Sequence, residues 1–134
     1  MKLKILKYQS QVKNEVLVKV QAAGVNFPDA LMVQGKYQIV MDPPFTPGNE
    51  VCGYVEETGD DVDLKIATKV IALPPIGGFS EYVSVNKNLV IPVSEKVDSM
   101  AGASLPINYG TCYYALKRRA NIQKNESLLV LGAS

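Results

Sequence analysis

Eight consecutive residues, Ala22-Ala23-Gly24-Val25-Asn26-Phe27-Pro28-Asp29, constrain the fold of this chain more than any other stretch. Val16, Val18 and Val20 precede them in strict alternation, the pattern of a half-buried strand. Gly24 then interrupts the strand, and Pro28 is at home only in the first turn of a helix. Asn26 stands where an N-cap belongs, and Asp29 falls near the positive end of the same helix. Leu31 and Met32 continue the helix, and Gly35 suits a left-handed stop. The octet therefore predicts a strand-to-helix corner with polar groups projecting from a rigid scaffold, a common setting for binding residues.

Downstream, residues 49–58 alternate around Gly53, with Val51 and Val55 on one side and Cys52 and Tyr54 on the other. This predicts a long bent strand in which the glycine permits a bulge or a close backbone approach. Further strands are expected over 69–73, 79–85 and 90–92, separated by the turn Gly59-Asp60-Asp61 and the loop Pro74-Pro75-Ile76-Gly77-Gly78. Short strands at regular spacing predict a small, partly open β-barrel. The run Met1–Leu6, with alternating lysines, suits a sheet edge. Beyond Asp98 the pattern changes. Asp98 and Ser99 are cap candidates for a helix through Leu105, Pro106 interrupts it, and a second helix runs from Asn108 or Tyr109 to Arg119. Residues 126–131 form an apolar run of the kind buried on both faces of a parallel sheet. The expected class is mainly β with α+β additions, in two parts, 1–100 and 101–134.

Composition removes several functions. The net charge of +1 carries no dense basic block, which argues against nucleic-acid binding; Lys117-Arg118-Arg119 reads as the decorated end of a helix. No apolar run reaches the length of a membrane span, and Lys2, Lys4 and Lys7 interrupt any secretory core, so a cytoplasmic protein without membrane contact is expected. Cys52 and Cys112 are too few for a disulfide scaffold and read as small core residues. The chain has no histidine, which rules out Ser-His-Asp and Cys-His nucleophile arrangements and leaves too few ligands for zinc.

Five stretches in order resemble one family. They are Ala22 to Tyr37, Pro43-Pro44-Phe45-Thr46-Pro47-Gly48-Asn49-Glu50, Gly77-Gly78-Phe79-Ser80-Glu81-Tyr82, Leu105-Pro106-Ile107-Asn108-Tyr109-Gly110-Thr111, and Leu128-Leu129-Val130-Leu131-Gly132-Ala133-Ser134. Together they resemble the zinc-free quinone oxidoreductases of the zeta-crystallin type, in the medium-chain dehydrogenase/reductase superfamily. The resemblance implies a GroES-like substrate domain over 1–100. Over 101–134 it implies connecting helices and the first strand of a truncated Rossmann domain. It implies NADPH as cofactor, with NADH left open, a quinone or enone as substrate, and a homodimer for the full-length protein. It also implies that the 134 residues alone are inactive. The zinc-dependent cousins carry Cys and His where this chain has Asn26 and Asn49, which points to no metal.

The same resemblance assigns site residues. Asn26 and Tyr37 match catalytic positions near the substrate, and Asn26, Gly78 and Thr111 match positions beside the nicotinamide. Plainer readings stand next to each. Asn26 is equally an N-cap, Tyr37 a loop tyrosine, Thr111 a helix threonine bonded to a carbonyl, and Gly78 a turn glycine. Glu50 reads as a structural carboxylate. Two rivals to the enzyme reading are a non-catalytic binding module and an inactive fragment.

Overall fold

Valine alternation builds the sheet. The structure, a computed structural model, describes residues 13–132, so the expected strand at Met1–Leu6 lies outside the described residues. Five antiparallel strands, β1 (Glu15–Ala23), β2 (Val51–Thr58), β3 (Lys69–Ala72), β4 (Tyr82–Asn86) and β5 (Val90–Pro92), are arranged in the order β4-β1-β2-β3-β5. Val18 lies opposite Val55 on one side and Val83 on the other, so the registers bring valines onto one face. Val16, Val18, Val51, Val55, Val70, Ala72, Val83, Val85 and Val90 form the main core there. Each fully buried valine contributes roughly 1.5–3 kcal/mol through removal from water. Gly53 is required by a close approach: a Cβ there would overlap the Lys19 carbonyl oxygen of the adjacent strand.

The opposite face carries the second layer. Helix α2 (Ser99–Tyr113) is capped by Asp98, whose Oδ1 accepts from Ala101 N at 3.0 Å. Its Gly102 and Ala103 are buried, and Ala103 clusters with Cys52 and Ile71. A Cβ on Gly102 would come 2.9 Å from Cys52 Sγ, so the missing side chain is what lets this helix sit down on β2. On that same face Lys69 is buried, with Nζ donating to Val97 O at 2.7 Å and lying 5.6 Å from the Tyr54 ring centroid.

Three expectations change. Pro106 does not divide the helix: α2 runs through it and continues as a π-helical turn, Tyr114–Arg119. The residue after the proline, Ile107, donates its N–H to Glu50 Oε2 at 2.9 Å, so a buried carboxylate supports the backbone at the position that proline disturbs. The run 126–131 is not a strand. Among the described residues no strand lies beside it, and Leu129 is 82% exposed. An extended segment cannot be a β-strand without a neighbour to take its N–H and C=O groups. Cys112 is exposed rather than core, whereas Cys52 is buried as expected. The mainly β class with helical additions and the partly open sheet are as expected.

Candidate functional site

The corner after β1 forms as the octet predicts. Helix α1 spans Phe27–Val33, with Asn26 extended at its N-cap and Gly35 at φ +65 beyond its end. Asn26 N donates to Asp29 Oδ2 at 2.8 Å, while Asp29 N donates to the main-chain oxygen of Asn26 at 3.0 Å. The Asn26 side-chain oxygen faces Asp29 N, which with the Asp29 carboxylate on Asn26 N makes a capping box. The other end of the amide, Nδ2, donates to Glu50 Oε1 at 2.8 Å and to Asn49 Oδ1 at 3.3 Å.

Two buried carboxylates organise this corner. Asp29, 3% exposed, reaches back to Asn26 N and across to Gly48 N, 3.1 Å from Oδ1. Glu50, 0% exposed, spans from the Asn26 amide to Ile107 N on α2. Burying an ionised carboxylate costs several kcal/mol, and in each case both oxygens are met by N–H donors that offset the loss of water. Gly24 makes room for this arrangement. A Cβ there would overlap the Glu50 carboxylate and sit 2.6 Å from the Ala103 carbonyl oxygen. Gly24 N also donates to Glu50 O at 3.0 Å, pinning the corner to the entrance of β2.

A second junction lies next to Asp29. Residues 46–48 and 77–79 are zipped by three main-chain bonds: Gly77 N to Thr46 O at 2.8 Å, Gly78 N to Gly48 O at 2.9 Å, and Phe79 N to Pro47 O at 3.0 Å. Gly48, at φ +100, and Gly78 approach so closely that a Cβ on Gly78 would lie 2.8 Å from the Gly48 carbonyl carbon. The Gly78 N–H is thus engaged within the protein and offers no donor to a ligand.

The other candidates are placed as follows. Thr111 lies one helical turn beyond Ile107 on α2 and is exposed. Ser104 donates back to the Ala101 carbonyl at 3.1 Å, but among the described residues the Thr111 hydroxyl has no such partner. Tyr37 is half-buried in the loop after α1, and among the described residues no hydrogen bond holds its phenol. The structure therefore links Asn26 to the helix bearing Thr111 through Glu50, and leaves Tyr37 outside that network. Exposed Val25 and Phe27 flank Asn26 in the chain. An open groove of about 480 Å³ lined by Met41, Phe45, Ile76 and Tyr82, among others, includes none of Asn26, Tyr37, Gly78 or Thr111.

Sequence reasoning undervalued Glu50 and Asn49, whose partners lie 57 and 23 positions away. A glutamate at the head of an apolar strand was the available signal, since a buried carboxylate demands donors. Among the described residues no three His, Cys, Asp or Glu side chains are placed to hold a metal ion, and no helix is long and apolar enough to cross a membrane.

Known proteins match this architecture. The sequence model of the alcohol dehydrogenase GroES-like domain matches residues 12–95. The chain is 42% identical over 122 residues to quinone oxidoreductase-like protein 2 of Bos taurus, covering 90% of this chain and 35% of that protein. It superposes with a TM-score of 0.83 and 37% identity on a probable oxidoreductase from Mycobacterium abscessus, covering 88% of this chain and 38% of that one. For the quinone oxidoreductase of Thermus thermophilus, whose structure is known also in complex with NADPH, the values are 0.73 and 35%, with 87% of this chain and 36% of that one covered. The chain thus spans little more than a third of the length of these relatives.

Proposed function

Because the chain belongs to the alcohol dehydrogenase GroES-like domain family, on its quinone oxidoreductase side, we propose that it forms the substrate-side part of an NADPH-dependent oxidoreductase. The longer protein would reduce quinones or related enones by hydride transfer without zinc, and would act as a homodimer in the cytoplasm. Residues 1–100 would be the substrate domain and 101–134 the connection to a dinucleotide-binding unit.

The observation that carries this reading is the pre-organised polar corner at Asn26. Its amide is held by Glu50 and Asn49, and both asparagines bond to each other rather than being arranged as metal ligands. A nicotinamide bound there would supply the hydride. The acceptor carbon of a quinone is already electron-poor, so the protein need only orient the partners and stabilise charge developing on oxygen. Asn26 Nδ2 is spent inside the protein, which leaves the Tyr37 phenol and the Thr111 hydroxyl as the side-chain donors for that oxygen. Asn26 and Thr111 would line one wall of the nicotinamide site, with Gly78 contributing through close packing alone.

These 134 residues contain no intact glycine-rich phosphate turn, so most cofactor binding energy must come from elsewhere. The test is consumption of NADPH and of NADH in the presence of a simple quinone. The 134-residue chain is compared with a version extended to the length of its relatives. Turnover by the extended protein only, with NADPH preferred, is the expected result. An extended protein that binds neither nucleotide would support the binding-module reading instead.

A further inference from the structure

We propose that Glu50 is a positioning residue that fixes the polarity of Asn26, so that the corner presents an acceptor oxygen to a hydrogen-bond donor on the ligand, a hydroxyl or an amide N–H. An asparagine amide can face either way, and its partners decide which. An ionised carboxylate only accepts, so the group facing Glu50 Oε1 at 2.8 Å must be Nδ2. Glu50 also accepts from Ile107 N at 2.9 Å on its other oxygen. Nδ2 gives its second proton to Asn49 Oδ1 at 3.3 Å. Both amide protons are therefore consumed inside the fold. Asn26 Oδ1 faces Asp29 N in the capping box, and an amide oxygen has two lone pairs, so one remains for a donor on the ligand.

The same carboxylate sets the height of the site. Glu50 fills the space that Gly24 leaves open, and it holds α2 at Ile107, one turn before Thr111. Asn26 and Thr111 are thus positioned by one buried group. Replacing Glu50 by Gln would keep the shape and reverse the polarity. If the new carboxamide oxygen keeps Ile107 N, its NH2 faces Asn26, which must then turn Oδ1 inward and Nδ2 outward.

The ligand half of this inference rests on the oxidoreductase reading; the polarity half does not. Two measurements separate them. In the unmodified 134-residue chain, NMR should detect a coupling across the hydrogen bond between Asn26 Nδ2 and the Glu50 side-chain carboxyl carbon. Absence of that coupling in a folded chain overturns the positioning role, whatever the protein's activity. In the extended protein, a double-mutant cycle of Asn26→Ala and Glu50→Gln is read as kcat/KM for quinone reduction with NADPH. Glu50→Gln should lower it about tenfold in the parent and change it little in the Asn26→Ala background, because its effect passes through Asn26. Equal losses in both backgrounds would show that Glu50 acts on the fold alone. A coupling present in an extended protein without turnover would uphold the polarity of Asn26 and defeat the oxidoreductase reading.

Discussion

Asp29→Asn tests how the corner is held. The carboxylate is 3% exposed and accepts from two main-chain donors, Asn26 N at 2.8 Å and Gly48 N at 3.1 Å. Asparagine has the same shape but one acceptor oxygen. Whichever N–H it keeps, its NH2 then faces the other N–H, and two donors meet in a buried space. A hydrogen bond to a charged group contributes about 1.5–3 kcal/mol, and leaving a buried N–H unmet costs about 1–3 kcal/mol more. Against this, the variant no longer buries a charge, which returns part of the desolvation cost. The balance is a loss of about 2 kcal/mol, a large fraction of the roughly 5–15 kcal/mol typical of a domain. Urea unfolding of the 134-residue chain, followed by circular dichroism, should show the midpoint falling by roughly 1 M with an unchanged slope. A midpoint equal to that of the parent would refute the claim that this carboxylate joins α1 to the 46–48 loop.

Other outcomes follow from the same contacts. Gly24→Ala forces a methyl group into the Glu50 carboxylate and the Ala103 carbonyl, and calorimetry should show a loss of about 1–3 kcal/mol or a chain that does not fold. Exposed Cys112 should react with a thiol reagent within the mixing time, whereas Cys52 should react only as the chain opens. Burial raises the Cys52 thiol above its ordinary value near 9, a rise partly countered by a hydrogen bond with Ser99. The unfolded chain therefore loses this proton first as pH climbs, and the parent should lose stability from about pH 9 upward to the folded-state value, more steeply than a Cys52→Ala variant.

What could be read ahead of the structure was local. The alternation of Val51 and Val55 against Cys52, the punctuation at Gly24 and Gly35, and the placement of Pro28 each depend on a few neighbouring residues, and each predicted its element. What escaped was non-local. A proline rule applied to Pro106 predicts a broken helix, but Glu50, 57 positions from Ile107 in sequence, supplies an acceptor that local rules cannot see. The N-cap at Asn26 was legible, but that its Nδ2 also donates to the same glutamate, 24 positions away, was not. The apolar run 126–131 was correctly read as apolar, yet strand formation belongs to a pair of segments and not to one. Asn26 and Thr111 emerged as candidates through the family resemblance; composition and periodicity marked only their elements.

The central claim is hydride transfer at the Asn26 corner without a metal, and one measurement addresses it most directly. The extended protein is dialysed exhaustively against chelator and assayed for quinone-dependent NADPH oxidation beside its Asn26→Asp variant. In that variant a carboxylate would face Glu50 where the amide Nδ2 now donates at 2.8 Å. The account predicts an undiminished rate for the stripped parent and at least about a tenfold loss for the variant. A parent whose rate collapses on dialysis and returns with zinc, or a variant that turns over as fast as the parent, would contradict it.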